Sequence, residues 1–554
     1  MDSRRTSLTL TQFPSKASET AKASELVSAD YHPAERDWRF WCIIFSLSTC
    51  MLLTALEFSS IGTALPQIVK DIGGGEFVWV GSSYTLGSAA LLPFSGGLAQ
   101  IFGRRATMIG SIAIFALGSA LCGAAKDMNF LIAARTIQGL GGGAITALIQ
   151  IILADLVSLR ERGVFNGIIA LAWAIGGGIG PVLGGSLAQA GQWRWLFYLN
   201  LPICVVSAAM IAIFLKTQTP CFVTLKEKIA HLDIVGNIIF TASSTSVVIA
   251  LSWGGLKYDW SSPQVLISLV AGLIGFCIFL AYEAVVATHP VIPLKIILVD
   301  RTTFSGYMQC FLMGVILACL VYWGPLYFQA CKDASPIQSG IDIFGLSYSV
   351  SPFAVVAGGV VMKTGRFRPP IWIAWVLIIV GLSLYTTLEP DTPVAHAIGF
   401  EIIAGAGIGA IYVATQFPVL APIPVNMAPS ALVFFTFLRN FAFVWGVTLG
   451  GAILQNELKR RLPADLLANV GGSEEIALAV IEVIPTLSEE LKVATRAAYA
   501  DSLRIVWISL VAIASAGVLV SGLMKYFPLH TQANHSLGPE VGSLPANDTE
   551  SALA

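Results

Sequence analysis

The chain has 554 residues, 55% of them hydrophobic and only 12% charged, with a mean hydropathy of +0.76. Soluble domains carry about 25% charged residues, so these charges cannot cover one large water-soluble body or several smaller ones. With 32 Lys and Arg against 33 Asp and Glu there is no basic stripe for nucleic acid; a soluble enzyme and a disordered scaffold are excluded too, and a polytopic membrane protein remains.

Residues 1–40 are polar, rich in Ser and Thr, and read as a cytoplasmic tail rather than a cleavable leader. A helix needs about 20 apolar residues to cross a bilayer. Fourteen stretches reach that length: 41–64, 78–98, 106–125, 130–153, 163–187, 195–215, 233–252, 264–283, 303–324, 338–360, 370–388, 396–418, 430–454 and 502–525. A long loop, 455–501, separates the last two, and a second tail follows at 526–554. Loops leading from even to odd spans hold twelve Lys or Arg, whereas the short loops from odd to even hold five: Lys70, Lys126, Arg194, Lys257 and Lys332. The richer side is expected to be cytoplasmic, which puts both termini in the cytoplasm and 455–501 outside. The nine cysteines are odd in number and form no C-x-x-C pair, so they read as small packing residues.

Two glycine patterns repeat along the chain. Gly96-Gly97, five residues, then Gly103-Arg104 recurs as Gly358-Gly359, five residues, then Gly365-Arg366, at an offset of 262. Arg135, Gly139, Gly141, Gly143 and Ala144 share their spacing with Glu401, Gly405, Gly407, Gly409 and Ala410, at an offset of 266. The chain therefore divides into an N-terminal six-helix bundle at 41–215 and a C-terminal one at 301–525, around an insert at 216–300 with two further spans. Carriers built from two such repeats bind substrate near the bilayer midplane between them.

The motifs follow in chain order. Span 1 ends Leu56-Glu57-Phe58-Ser59-Ser60-Ile61-Gly62-Thr63-Ala64-Leu65-Pro66, placing a carboxylate at membrane depth, where it is a functional candidate by default. Span 2 opens Trp79-Val80-Gly81-Ser82-Ser83-Tyr84-Thr85-Leu86. The next turn reads Gly96-Gly97-Leu98-Ala99-Gln100-Ile101-Phe102-Gly103-Arg104-Arg105, with glycines for a tight bend. Span 4 carries Arg135-Thr136-Ile137-Gln138-Gly139, and a mid-span arginine is costly. Span 5 carries Gly176-Gly177-Gly178-Ile179-Gly180-Pro181-Val182-Leu183-Gly184-Gly185, in which glycines permit close helix contact and the proline removes a hydrogen bond. Span 6 starts at Trp193-Arg194-Trp195-Leu196-Phe197-Tyr198-Leu199-Asn200-Leu201-Pro202.

Together these motifs resemble the major facilitator superfamily, and within it the fourteen-span drug:proton antiporter branch. The chain departs from that pattern at Gln100, where the superfamily has Asp, and at Glu57, where the branch has Asp. The resemblance implies an all-α polytopic fold of two six-helix bundles plus two inserted helices. It implies proton coupling at Glu57 and Arg135, and a cytoplasmic gate loop of Gly97, Gln100, Gly103, Arg104 and Arg105. It also implies an antiporter motif at Gly176, Gly180, Pro181, Gly184 and Gly185, which points to export. Gln100 carries no charge, so a charged latch at that position is in doubt.

Residues expected to face a central cavity are Tyr84, Gln138, Trp173, Glu401, Tyr412, Gln416, Phe434 and Arg439. Glu401 stands at the repeat position of Arg135, and an ion pair between the two across the halves is one arrangement the sequence leaves open. With no P-loop and no His/Cys cluster, neither ATP hydrolysis, nor a metal site, nor catalysis is expected. The reading is a monomeric carrier that needs no cofactor. It would use the proton gradient to expel a small amphipathic drug, toxin or secondary metabolite, and has no nucleic-acid partner. The N-terminal tail and Glu35-Arg36-Asp37-Trp38-Arg39-Phe40 resemble fungal members, with the plasma membrane as the expected site and a vacuolar or vesicle membrane as the alternative. The other readings are a proton-coupled importer, for instance of iron–siderophore complexes, and a non-transporting sensor on a carrier fold.

Overall fold

The computed structural model describes residues 36–72, 78–157, 159–215, 233–254, 258–287, 300–424, 427–464, 466 and 476–529. Residues 1–35 and 530–554, most of both expected tails, lie outside that set. The described chain is helical, with no strand among its residues.

The main helices, in chain order, are α1 (Trp38–Ile72), α2 (Val78–Phe102), α3 (Arg104–Gly123), α4 (Met128–Leu156), α5 (Leu159–Gln189) and α6 (Trp195–Phe214). They continue with α7 (Ile234–Trp253), α8 (Pro263–Val285), α9 (Arg301–Lys332), α10 (Phe344–Thr364), α11 (Arg368–Tyr385), α12 (Val394–Ala414), α13 (Ala428–Arg461) and α14 (Glu489–Ser521). Thirteen stretches of described helix are long and apolar enough to cross a membrane. The fourteenth expected span is a helix as well: α2 has 25 residues and packs tightly on α4. Exposed apolar side chains run along α8, among them Ile267, Val270, Ile274 and Ile278. Such a band in water would be an aggregation face; in lipid it is the natural surface.

Several helices outrun the expected spans. α1 has 35 residues, about 52 Å at 1.5 Å per residue against a hydrocarbon core of about 30 Å. The expected loop at 455–501 is partly helical: α13 runs on to Arg461, a short helix forms at Ile476–Val483, and α14 starts at Glu489. The extended ends of α13 and α14 are rich in Lys, Arg and Glu, and the helix between them is apolar but only eight residues long, so none offers the run by which the spans are recognised, yet they are anchored. The Tyr499 hydroxyl donates to the Ala477 carbonyl at 2.6 Å, and Asp333 receives Arg496 and Lys492.

The repeat is visible in the packing. Gly103 and Gly365 both hold positive φ, 85° and 66°, a region that favours glycine, although their ψ angles differ, at 152° and 8°. A Cβ on Gly139 or Gly143 of α4 would strike the carbonyls of Tyr84 and Ser88 on α2. A Cβ on Gly405 or Gly409 of α12 would meet Ser349 and the Val350 carbonyl on α10. Equivalent glycines thus bring equivalent helix pairs together in the two halves.

The halves meet along two related seams. Gly96 of α2 packs on Val433 of α13, where a Cβ would come within 2.7 Å of the valine. Gly358 of α10, the repeat partner of Gly96, packs on Gly163 of α5. The inserted α7 leans on both halves: Asn237 Nδ2 donates to the Ala90 carbonyl of α2 at 2.8 Å, and the Phe240 ring lies 4.7 Å from that of Phe437 on α13.

Candidate functional site

Glu57 and Arg135 form a buried ion pair, with 2% and 1% of their surface exposed. Burying two charges is costly unless every polar atom finds a partner, and here the surroundings supply them. Arg135 Nη1 donates to Glu57 and, at 2.8 Å, to Gln138 Oε1; its Nε donates to the Val80 carbonyl at 3.0 Å. Asn200 Nδ2 donates to the second Glu57 oxygen. Gln138 Nε2 in turn donates to Ser119 Oγ at 2.7 Å. Five helices contribute: α1, α2, α3, α4 and α6.

Asn200 and Ser119 were not singled out by sequence reasoning. Both are neutral, and nothing in composition separates them from other polar residues in the spans. Asn200 does lie within the span-6 motif, where the flanking Trp193 and Arg194 are structural: Trp193 Nε1 donates to Asp71 at 2.8 Å, and Arg194 donates to the Ala125 carbonyl at 2.9 Å.

The span-5 glycines position α1. Gly176 lies against the Leu52 carbonyl and Ala55, and Gly180 against Ser59, so that no side chain fits at either place. Ser59 Oγ also donates to the Gly176 carbonyl at 3.3 Å. Gly178 and Gly185 instead face the other half, at Tyr348 and Ile337, and Gly340 approaches Pro181. Gly184 is buried. Thus α5 is pressed between the helix that carries Glu57 and the opposite bundle, while remaining one continuous helix through Pro181.

At the end bearing the Gly103 turn, Arg104 pairs with Asp155 at 3.0 Å and donates to the Ala99 carbonyl at 3.1 Å. The charged partner therefore comes from the end of α4. Gln100's side chain lies outside the described set, Gly97 is partly buried, and Arg105 is exposed. A chain of amides crosses between the halves near this end: Asn166 Nδ2 donates to Gln416 Oε1 at 2.9 Å, and Gln416 Nε2 to Gln150 Oε1 at 3.2 Å.

Between the halves lies a small cavity of about 60 Å³. Its walls include Thr54 and Phe58 of α1, Tyr84 of α2, Trp173 of α5, Tyr412 of α12 and Arg439 of α13. Four of the eight expected cavity residues are therefore there. The other four lie elsewhere for identifiable reasons: Gln138 belongs to the ion-pair network, Gln416 to the amide chain, and Phe434 packs on Tyr307 at 4.9 Å. Glu401 sits within the second bundle, where its Oε2 accepts the Leu346 N–H at 3.3 Å. The pairing left open between Glu401 and Arg135 does not form, because repeat-equivalent positions lie inside separate bundles and Arg135 is already held by Glu57. No group of His, Cys, Asp or Glu suited to a metal occurs among the described residues.

The model of the Major Facilitator Superfamily matches residues 47–447. The chain belongs to this superfamily. It is thus a multi-pass membrane carrier, not an enzyme. Among similar proteins is "Efflux pump FUS6" of Gibberella fujikuroi, 35% identical over 515 residues that cover 91% of this chain and 92% of that protein. Another is "MFS-type efflux pump MMF1" of Pseudozyma antarctica, 38% identical over 502 residues, covering 89% and 92%. Of solved structures, the human organic anion transporter MFSD10 aligns with a TM-score of 0.53 at 14% identity, over 88% of this chain and 100% of that one. The proton:xylose symporter XylE aligns with a TM-score of 0.51 at 13% identity, over 83% and 98%. At these identities the structures speak for the fold alone.

Proposed function

We propose that this carrier exports a small amphipathic organic molecule, a toxin, drug or metabolite, in exchange for protons, by alternating access around the central cavity. The observation that carries the proposal is the Glu57–Arg135 pair, set in a closed polar network beside that cavity. A carboxylate that exchanges an arginine for a proton is a two-state element. Protonation releases Arg135 and loosens α1 from α4 and α6; deprotonation restores the pair. Fungal relatives named efflux pumps, at 35–38% identity, support the outward direction.

In this cycle Glu57 takes a proton from the outside as substrate leaves and gives it up inside as substrate binds. The seam of small residues between α5 and α10 and the amide chain through Gln416 act as the cytoplasmic gate, with both termini on that side. The reading places the protein in the plasma membrane, working as a monomer with the proton gradient as its energy source. Inside-out vesicles made acidic within and offered fluorescent amphipathic dyes test the direction. Accumulation that collapses with a protonophore is expected; accumulation only in right-side-out vesicles with acid outside contradicts export.

A further inference from the structure

The cavity wall carries an unneutralised charge. Arg439 is only 2% exposed, yet neither of its terminal nitrogens has a hydrogen-bond partner among the described residues. Its charge rests on aromatic faces: the guanidinium lies 4.2 Å from the Tyr412 ring centre and 5.6 Å from that of Phe435. Such contacts soften the burial of a cation but leave its N–H donors unused. The neighbouring Asn440 also lines the cavity, and its Nδ2 likewise has no partner. Among the lining side chains Arg439 carries the one formal charge. Glu57 does not neutralise it, since both of its oxygens are taken by Arg135 and Asn200.

Two unused donor groups on a buried, always-charged fork, with a third on the next residue, make a receptor for a planar oxyanion. The rest of the wall is uncharged, with the rings of Phe58, Trp173, Tyr412 and Phe443 interspersed with threonine and serine side chains. We propose that the substrate is an organic acid, whose carboxylate is held by Arg439 and Asn440 while its apolar body lies against these rings. This rests on the reading of the cavity as the transport site and narrows the cargo from amphipathic molecules to amphipathic anions. It also gives Arg439 a reason to be buried: an isolated charge there is costly until a ligand neutralises it.

The test is direct binding, measured by calorimetry on the full chain in lipid nanodiscs, with 2-naphthylacetate and its methyl ester as probes. They share one aromatic body and differ in charge. The acid is expected to bind at least about 10-fold more tightly than the ester, the lower end of what charge-assisted hydrogen bonds supply. Arg439→Gln is expected to weaken the acid about 10- to 100-fold and leave the ester unchanged. Arg439→Lys keeps the charge and retains part of the preference for the acid. Equal affinity for acid and ester, equal weakening of both by Arg439→Gln, or no binding of either overturns the proposal. The comparison of probes on the unaltered protein needs no variant, so a poorly folding Arg439→Gln does not block it. Acid-selective binding without proton-driven accumulation would remove the export reading and leave the anion site standing. Accumulation of the ester in preference to the acid would do the reverse.

Discussion

The Arg135 guanidinium lies 4.7 Å from the centre of the Tyr84 ring, and the same ring forms part of the cavity wall. One side chain therefore touches both the ion pair and the space between the halves. A substrate that displaces this ring alters the environment of Arg135, and release of Arg135 alters the wall that the substrate meets. A desolvated cation–π contact is worth about 2 kcal/mol. Tyr84→Phe keeps the ring and is expected to retain most proton-driven transport, while Tyr84→Leu loses it by roughly 10-fold or more. Initial rates in vesicles decide; equal rates for the two variants would remove Tyr84 from the coupling route.

Breaking the ion pair from one side is expected to be worse than removing it whole. Arg135→Gln leaves Glu57 buried without its cation, at a cost of about 3–5 kcal/mol. The double variant Glu57→Gln, Arg135→Gln replaces two charges by two amides and should regain much of that stability while staying inactive. Thermal unfolding of the purified variants reads this directly. A double variant no more stable than the single one would mean that the network is held together by something other than the pair.

The fold was legible because its signals are long and redundant: fourteen apolar stretches, and glycines at matched spacing whose packing partners prove equivalent in the two halves. The charged pair was legible because Glu57 and Arg135 stand out among apolar neighbours. Asn200 and Ser119 were not, since a neutral polar residue in a membrane helix has many uses. Asp155 was missed because it sits at the end of α4, where an acidic residue reads as an ordinary loop boundary, and only the structure shows it facing Arg104. The repeat itself suggested Glu401 as a partner for Arg135, but sequence equivalence places residues in matching environments, not in contact.

Two adjacent glycines test the seam between the halves. A Cβ on Gly358 would stand 2.5 Å from the Gly163 carbonyl carbon, whereas one on Gly359 would meet nothing within 4 Å. Gly358→Ala is expected to cost about 1–3 kcal/mol by forcing α10 from α5, and to slow transport. Gly359→Ala should be neutral, or stabilising by about 0.5–1 kcal/mol through the lost flexibility of glycine in a helix. Unfolding temperature and transport rate together check both. Equal effects of the two substitutions would show that the seam has slack the packing does not reveal.

Asp333 gives the stability an acid-dependent component. Partial burial works against its ionised form, but the hydrogen bond and charge of Arg496, joined by Lys492, outweigh that and hold the carboxyl below the ordinary aspartate range. A carboxylate with a lowered folded-state pKa stabilises above its unfolded value, and the gain is lost as pH falls through the folded one. The side chain is 44% exposed, so the contribution is at most about 1 kcal/mol. The unaltered protein should therefore unfold slightly above Asp333→Asn at about pH 6, with the difference shrinking as pH falls below about 4, the ordinary aspartate value. A gap that does not change with pH contradicts this assignment.

If Glu57 carries the coupled proton, Glu57→Gln must uncouple transport from the pH gradient. Two measurements are made in the same vesicles: accumulation of substrate driven by a pH gradient, and exchange of labelled for unlabelled substrate with no gradient imposed. Glutamine preserves the shape of the side chain and an acceptor for Asn200, but it cannot ionise. Gradient-driven accumulation is expected to disappear while exchange persists. Full gradient-driven accumulation by Glu57→Gln would contradict that role.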